Sequence, residues 1–236
     1  MEKKNRRILL KISGEFLMGP LDFGIDVATL DRVADEIKSV YENGYEVCVV
    51  TGGGNFFRGV SAAAYGMHRA VADNIGMLAT VMNSIALQNS LERHDVPSRV
   101  MSAIAMPMVC EPYIRRKAIR HLEKRRVVVC AAGSGNPYFT TDTAAILRAL
   151  ETGCEMLLKA TKVAGVYDCD PEKNPQAVLL EKLSHKEVLE RDIRVMDHTA
   201  VTLARENQIP IMVFSLKEKG DLNNVLSSGE NCSIIS

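Results

Sequence analysis

Four short stretches of the chain concentrate the residue types that hold phosphate. The richest is AAGSGNPYFTTDTAA, at 131–145. Gly133, Gly135 and Pro137 cannot extend the β-branched run that precedes them, so the chain must turn outward there. Thr140, Thr141 and Asp142 are helix-capping types, and AAILRAL behind them gives a helix its apolar stripe. A strand, a glycine turn and a capped helix make an anion site: main-chain N–H groups and the helix dipole face the ligand, and the hydroxyls of Ser134, Thr140 and Thr141 add donors. The second stretch, TGGGNFFRG at 51–59, lets a phosphate chain approach the main chain at Gly53 and Gly54, with Arg58 as a forked cation. In the third, KISG at 11–14, Lys11 ends an apolar run and is followed by the backbone donors of Ser13 and Gly14. The fourth, KATKVAGVYDCDP at 159–171, offers Tyr167 to a purine and Asp170 to a sugar.

Each stretch alone also has a plainer reading. Capped β-to-α turns are common, a strand-end lysine snorkels to water, and Asp-Pro starts ordinary turns. Asp73, near the start of a long helix, is favoured there by the dipole alone; its functional reading is a ribose acceptor. Two familiar nucleotide loops are excluded. Gly54 to Gly59 has Walker A spacing, but Val60 and Ser61 stand where Lys and Ser/Thr are needed, and neither glycine cluster has the third glycine of the dinucleotide fingerprint.

The elements that must position these residues alternate along the chain. Apolar strands are expected at 7–12, 45–50, 99–104, 126–132, 155–161 and 209–214, with helices at 26–43, 68–93, 113–126, 141–152, 184–191 and 197–208 and a short helix and strand at the end. In the helix over 68–93, Val71, Ile75, Leu78, Met82, Ile85 and Leu91 mark the apolar positions, its methionines filling core or subunit contacts. This alternation argues for a largely parallel sheet covered on both faces.

With 236 residues, 47% of them hydrophobic, and no linker-like spacer, one domain over 1–236 is expected. The 29 basic and 29 acidic residues cancel, which disfavours nucleic acid and membrane surfaces as partners. No apolar run approaches a membrane span, and Lys11 and Glu15 interrupt any signal-peptide core, so no membrane association is expected. Six scattered cysteines without C-x-x-C pairs fit a reducing cytoplasm. The basic run from Arg115 to Arg126 reads as a solvated helix face or an effector site.

Taken together and in this order, KISGE, TGGGNFFRG, GSGNPYFTTD and KATKVAGVYDCDP resemble the bacterial uridylate kinases, a branch of the amino acid kinase family. The resemblance covers nearly the whole chain. It implies a three-layer α/β/α sandwich, an N-terminal part that mainly binds the acceptor, and a C-terminal part that mainly binds ATP. It also implies transfer of a phosphoryl group from ATP to UMP with Mg2+. On it, Lys11, Ile12, Ser13, Gly14, Gly54, Arg58, Thr161, Tyr167 and Asp170 touch ATP. Gly53, Asp73, Ser134, Gly135, Asn136, Pro137, Tyr138, Phe139, Thr140 and Thr141 hold UMP. Lys11 and Arg58 neutralise the moving phosphoryl group, and Asp142 orients those cations. A homohexamer with GTP and UTP as effectors is implied too, with Arg99 and Arg126 at effector contacts. Two positions depart from the pattern: Ser134 stands for threonine, and Gln88 where some members carry arginine. The alternatives are a family enzyme with another acceptor, a nucleotide sensor or storage protein without turnover, and a nucleic-acid module using residues 115–126.

Overall fold

The computed structural model describes residues 6–57, 66–171 and 173–236. In chain order its elements are β1 (Arg7–Ile12), α1 (Gly14–Leu17), α2 (Val27–Glu42), β2 (Glu46–Thr51), α3 (Arg69–Arg93), β3 (Ser98–Ser102), β4 (Glu111–Pro112), α4 (Arg115–Glu123), β5 (Val127–Ala131), α5 (Thr141–Thr152), β6 (Met156–Thr161), β7 (Lys182–Leu183), α6 (His185–Glu190), α7 (His198–Glu206), β8 (Ile211–Ser215), α8 (Asp221–Ser228) and β9 (Cys232–Ile235).

The strands form one sheet of nine, ordered β4-β3-β5-β2-β1-β6-β8-β9-β7, in which every pairing is parallel except β8 with β9. A parallel sheet needs cover on both faces, and the alternation of side chains along each strand provides two cores. Ile8, Leu10 and Ile12 of β1 join Val47 and Val49 of β2 on the face covered by α2, α3 and α8. Leu9, Cys48 and Val50 point the other way, toward α4, α5, α6 and α7. The architecture is the three-layer α/β/α sandwich. By the same alternation Lys11 and Lys159 lie on the second face, the one that α5 covers.

Several local expectations shift for physical reasons. The last core strand begins at Ile211, after Pro210, which has no N–H to give a ladder. The two-residue strands β4 and β7 are too short to announce themselves in a hydrophobic pattern. The larger correction concerns α3. Val71, Leu78, Met82 and Ile85 are exposed, whereas the buried face carries Met77, Thr80, Asn83, Ser84, Leu87 and Leu91. By length and composition α3 could cross a membrane, yet its inner face packs on the sheet and binds loops through polar side chains.

Candidate active site

The strands at the middle of the sheet all end on the same side, so their following loops gather at one edge. Reading across β5, β2, β1 and β6, that edge presents Gly133, then Gly52 to Gly54, then Lys11 to Gly14, then Thr161. Three phosphate-type stretches separated by dozens of residues in sequence are thereby adjacent.

Lys11 lies one residue from the end of β1, paired in register with Val50 on one side and Lys159 on the other. Two ammonium groups on neighbouring strands and one face would repel each other. Asp142, in the first turn of α5, sits between them: its Oδ1 is 2.7 Å from Lys11 Nζ and its Oδ2 is 2.6 Å from Lys159 Nζ. Lys159 Nζ also donates to the Val195 carbonyl. The side chains of Lys11, Lys159 and Asp142 retain 8%, 12% and 14% of their exposure, so this is a buried but not sealed triad. Burial pushes the Asp142 carboxyl up, but the two ammoniums together outweigh it and hold the group below the usual carboxylate range. Burial lowers Lys159, and Asp142 opposes that only in part while Lys11 adds to it.

The helix that carries Asp142 is fixed at its start. Thr140 caps α5 by accepting from the N–H groups of Asp142 (3.1 Å) and Thr143 (3.3 Å). Asp197, the N-cap of α7, accepts in turn from the Thr140 hydroxyl and, at 2.8 Å, from the Thr143 hydroxyl. Arg148, buried about two turns along α5, donates to the Gly133 carbonyl at 3.2 Å and stacks 3.9 Å from the Tyr113 ring centroid.

Two cavities flank the triad in the order of the sheet. One, of about 190 Å³, is lined by Gly53, Gly54, Asp73, Ser134, Phe139, Thr140 and Thr141, together with Arg69, Met77, Thr80 and Gly133. Gly135, Asn136, Pro137 and Tyr138 belong to the same loop without lining it. Asp73 accepts from Arg69 Nε at 2.8 and 2.9 Å and from the Tyr138 N–H at 2.7 Å, so it fastens the loop to α3. That loop holds two non-glycine residues with left-handed backbone, Ala132 (φ 59°) and Tyr138 (φ 72°), each a conformation that costs about 1–3 kcal/mol and persists only under tight restraint. The other cavity, of about 620 Å³, is lined by Thr161, Val163, Gly165, Tyr167, Cys169, Asp170, Ile193, Arg194, Val195 and Val213. Its floor is held from β9: Ser233 Oγ accepts from the Val166 N–H at 2.8 Å, and a side chain at Gly165 would meet that oxygen at 2.4 Å.

The sequence-derived residues divide accordingly. Thr161, Tyr167 and Asp170 share the larger cavity, while Lys11, Ser13, Gly14 and Gly54 lie at the sheet edge toward the smaller one. Ile12 is fully buried and its carbonyl already accepts from the Gly52 N–H at 2.8 Å. Ser13 Oγ is engaged in capping α1 through the Phe16 N–H at 3.1 Å. Arg58 lies outside the described residues. Arg99 and Arg126 lie together at the far side of the sheet: Arg99 is 4.0 Å from Glu92 and 3.7 Å from Glu111, and Arg126 is 3.2 Å from the His121 ring. Gln88 reaches the same cluster through Glu92 (3.1 Å). Lys159 is the residue that sequence reasoning did not assign. Its signal was available: a lysine two residues from the end of a core strand, as Lys11 is one residue from the end of its own.

Known proteins resemble this chain along nearly its whole length. The model of the amino acid kinase family matches residues 6–215. The uridylate kinase of Paramagnetospirillum magneticum is 60% identical over 226 residues, covering 96% of this chain and 94% of that protein. The uridylate kinase of Wolbachia sp. subsp. Brugia malayi is 56% identical, covering 96% and 92%. Among solved structures, UMP kinase from Ureaplasma parvum superposes with a TM-score of 0.93 at 36% identity over 99% of both chains. With a family match across nearly all of the sheet, and relatives this similar along almost their full length, the chain belongs to the amino acid kinase family.

Proposed function

We propose that this protein transfers the γ-phosphoryl group of ATP to UMP, giving UDP and ADP in pyrimidine nucleotide biosynthesis. The observation that carries the reading is the Lys11–Asp142–Lys159 triad set between two cavities at the carboxyl edge of the sheet. The relatives' identity as uridylate kinases supports UMP as the acceptor. In this reading the smaller cavity takes UMP, with Asp73 on the ribose and the 133–141 loop around it, and the larger takes the adenosine of ATP against Tyr167 and Asp170. The single domain then divides by role, residues up to about Asp142 mainly serving the acceptor and later ones the donor.

The chemistry asks little of covalent catalysis. The acceptor phosphate has a second pKa of about 6 and is already a good nucleophile at neutral pH, so no general base is needed. The obstacle is bringing two polyanions in line and spreading charge over the transferring group's oxygens. Lys11 and Lys159 supply positive charge at that point, Arg58 is proposed to add to it, and Asp142 sits between the lysines and pairs with both. The glycines at 52–54 and Gly14 let the phosphates approach the main chain. Among the described residues no cluster of His, Cys, Asp or Glu forms a metal cage, and Asp142 is committed to two lysines. Mg2+ therefore fits as a companion of the nucleotide, held by phosphate oxygens and water, as this ion prefers.

We propose further that the protein is a cytoplasmic homohexamer under GTP and UTP control. The exposed stripe Val71, Leu78, Met82 and Ile85 on α3, at alternating spacings of three and four beyond Leu78, supports self-association. The Arg99–Arg126 cluster supports an anionic effector. A coupled assay of ADP release over a panel of nucleoside monophosphates tests the core claim: UMP is expected to exceed every other acceptor, and turnover with none of them would overturn it.

A further inference from the structure

The inner face of α3 carries a polar core that the chemistry above leaves unused. Asn83, with no exposure, and Asn55, at 2%, exchange two amide hydrogen bonds of 2.9 and 2.8 Å. Asn83 Nδ2 also donates to the Gly52 carbonyl at 2.7 Å, and Asn55 Nδ2 to the Gly24 carbonyl at 2.8 Å. The Gly24 N–H donates back to the Asn55 carbonyl at 3.1 Å. One turn earlier on α3, Thr80 Oγ1 accepts from the Ala132 N–H at 2.8 Å and donates to the Met77 carbonyl at 2.7 Å. Ser84 lies 3.1 Å from the Thr51 hydroxyl.

These bonds converge where the phosphate loops touch. A β-carbon added at Gly14 would meet Asn55 Oδ1 at 2.5 Å, the Gly54 nitrogen at 2.7 Å and the Gly52 carbonyl at 2.9 Å. One added at Gly53 would meet the Gly76 carbonyl of α3 at 2.7 Å. The amide pair therefore sits beneath the junction of the Lys11–Gly14 and Gly52–Asn55 segments, and Thr80 beneath the turn at Ala132. We infer that Asn83, acting through Asn55, is a positioning residue for phosphoryl transfer: it fixes the spacing between the Lys11–Gly14 loop, which carries a cation of the triad, and the loop at Gly52–Gly54, while Thr80 separately fixes the loop after Ala132 that is proposed to hold UMP. An asparagine suits this place because one amide must donate to a backbone carbonyl and to its partner while accepting from that partner, which neither a carboxylate nor an aliphatic side chain can do.

The inference rests on the proposed reaction and is separable from it. Asn83→Asp keeps the shape but cannot donate to the Gly52 carbonyl. Turnover is expected to fall about 100-fold, because a misplacement on the order of 1 Å costs that much, while the dissociation constants of ATP and UMP stay within a few-fold. Thr80→Val, which strands the Ala132 N–H, is expected to raise the UMP constant several-fold and leave that for ATP unchanged. The measurements are steady-state kinetics, nucleotide titrations and thermal melts of wild type and both variants. Should Asn83→Asp fail to fold, Asn55→Ser, which shortens the side chain beneath Gly14, is read in its place. No UMP-dependent turnover in wild type overturns the reaction and this inference together. An active wild type whose variants lose melting temperature but keep turnover per folded molecule overturns the inference alone.

Discussion

Asp142→Asn isolates charge from shape, because the amide fills the same space between the two lysines. In the native chain one carboxylate serves Lys11 at 2.7 Å and Lys159 at 2.6 Å, with all three side chains largely withdrawn from water. Removing its charge leaves two buried ammoniums facing each other, and stranding a buried charge in this way typically costs about 3–5 kcal/mol. Against a total stability of about 5–15 kcal/mol the variant still folds, and at about 2–4 °C per kcal/mol for a chain of this size its melting temperature falls by roughly 6–20 °C. Turnover should drop about 10²–10³-fold, the usual cost of misplacing one charged donor in such a site. The pH dependence has a definite sign. Because the folded-state pKa of Asp142 is depressed, its stabilising contribution is fully present above the ordinary aspartate value of about 3.9 and is lost as pH falls through the lower, folded value. The part of the stability gap between wild type and variant that comes from Asp142 is therefore constant near neutrality and narrows in acid. Lys159, already lowered by burial, loses the carboxylate that props it up, so the alkaline limb of the turnover profile should move to lower pH in the variant. Calorimetry and pH–rate profiles of the two proteins check this. A variant with turnover within threefold of wild type and an unmoved alkaline limb would refute the role given to Asp142.

Lys11→Ala should reduce turnover about 10²–10³-fold while the ATP dissociation constant changes only a few-fold, measured by single-turnover kinetics and titration; the reverse pattern makes it an anchor for the donor. Asp73→Asn should raise the UMP constant much more than the ATP constant, since Asp73 lines the smaller cavity and not the larger, and holds the Tyr138 N–H. Arg126→Ala should alter the response to GTP or the assembly state while basal turnover stays within about tenfold, as read by activity with and without GTP and by sedimentation. Met82→Asp, which puts a charge into the exposed stripe of α3, should shift sedimentation toward smaller species without lowering the melting temperature of the isolated subunit.

What the sequence disclosed and what it withheld follow from the range over which each signal acts. The glycine turns, the caps at Asp26 and Thr140 and the alternating strands are local, so they could be read directly. The order of strands is not local: β1 lies between β2 and β6, and only that order reveals that Lys159 shares a carboxylate with Lys11. The orientation of α3 was misread because its period is ambiguous. A helix whose outer stripe is apolar looks as though that stripe is its core face, and the polar residues beneath it, Thr80, Asn83 and Ser84, look like surface until the loops that they bind are known.

The clamp of Ser233 on the loop at Gly165 and Val166 bears on synthesis at the ribosome. Every residue lining the smaller cavity has been made once Thr141 is added, whereas the larger cavity needs β8 and its floor needs Ser233. At translation rates of roughly 5–20 residues per second, the intervening stretch takes about 5–20 s. During that interval a nascent chain holds every lining residue of the smaller cavity and not those of the larger, so on the proposed reading the residues for the acceptor precede the floor of the donor cavity in synthesis.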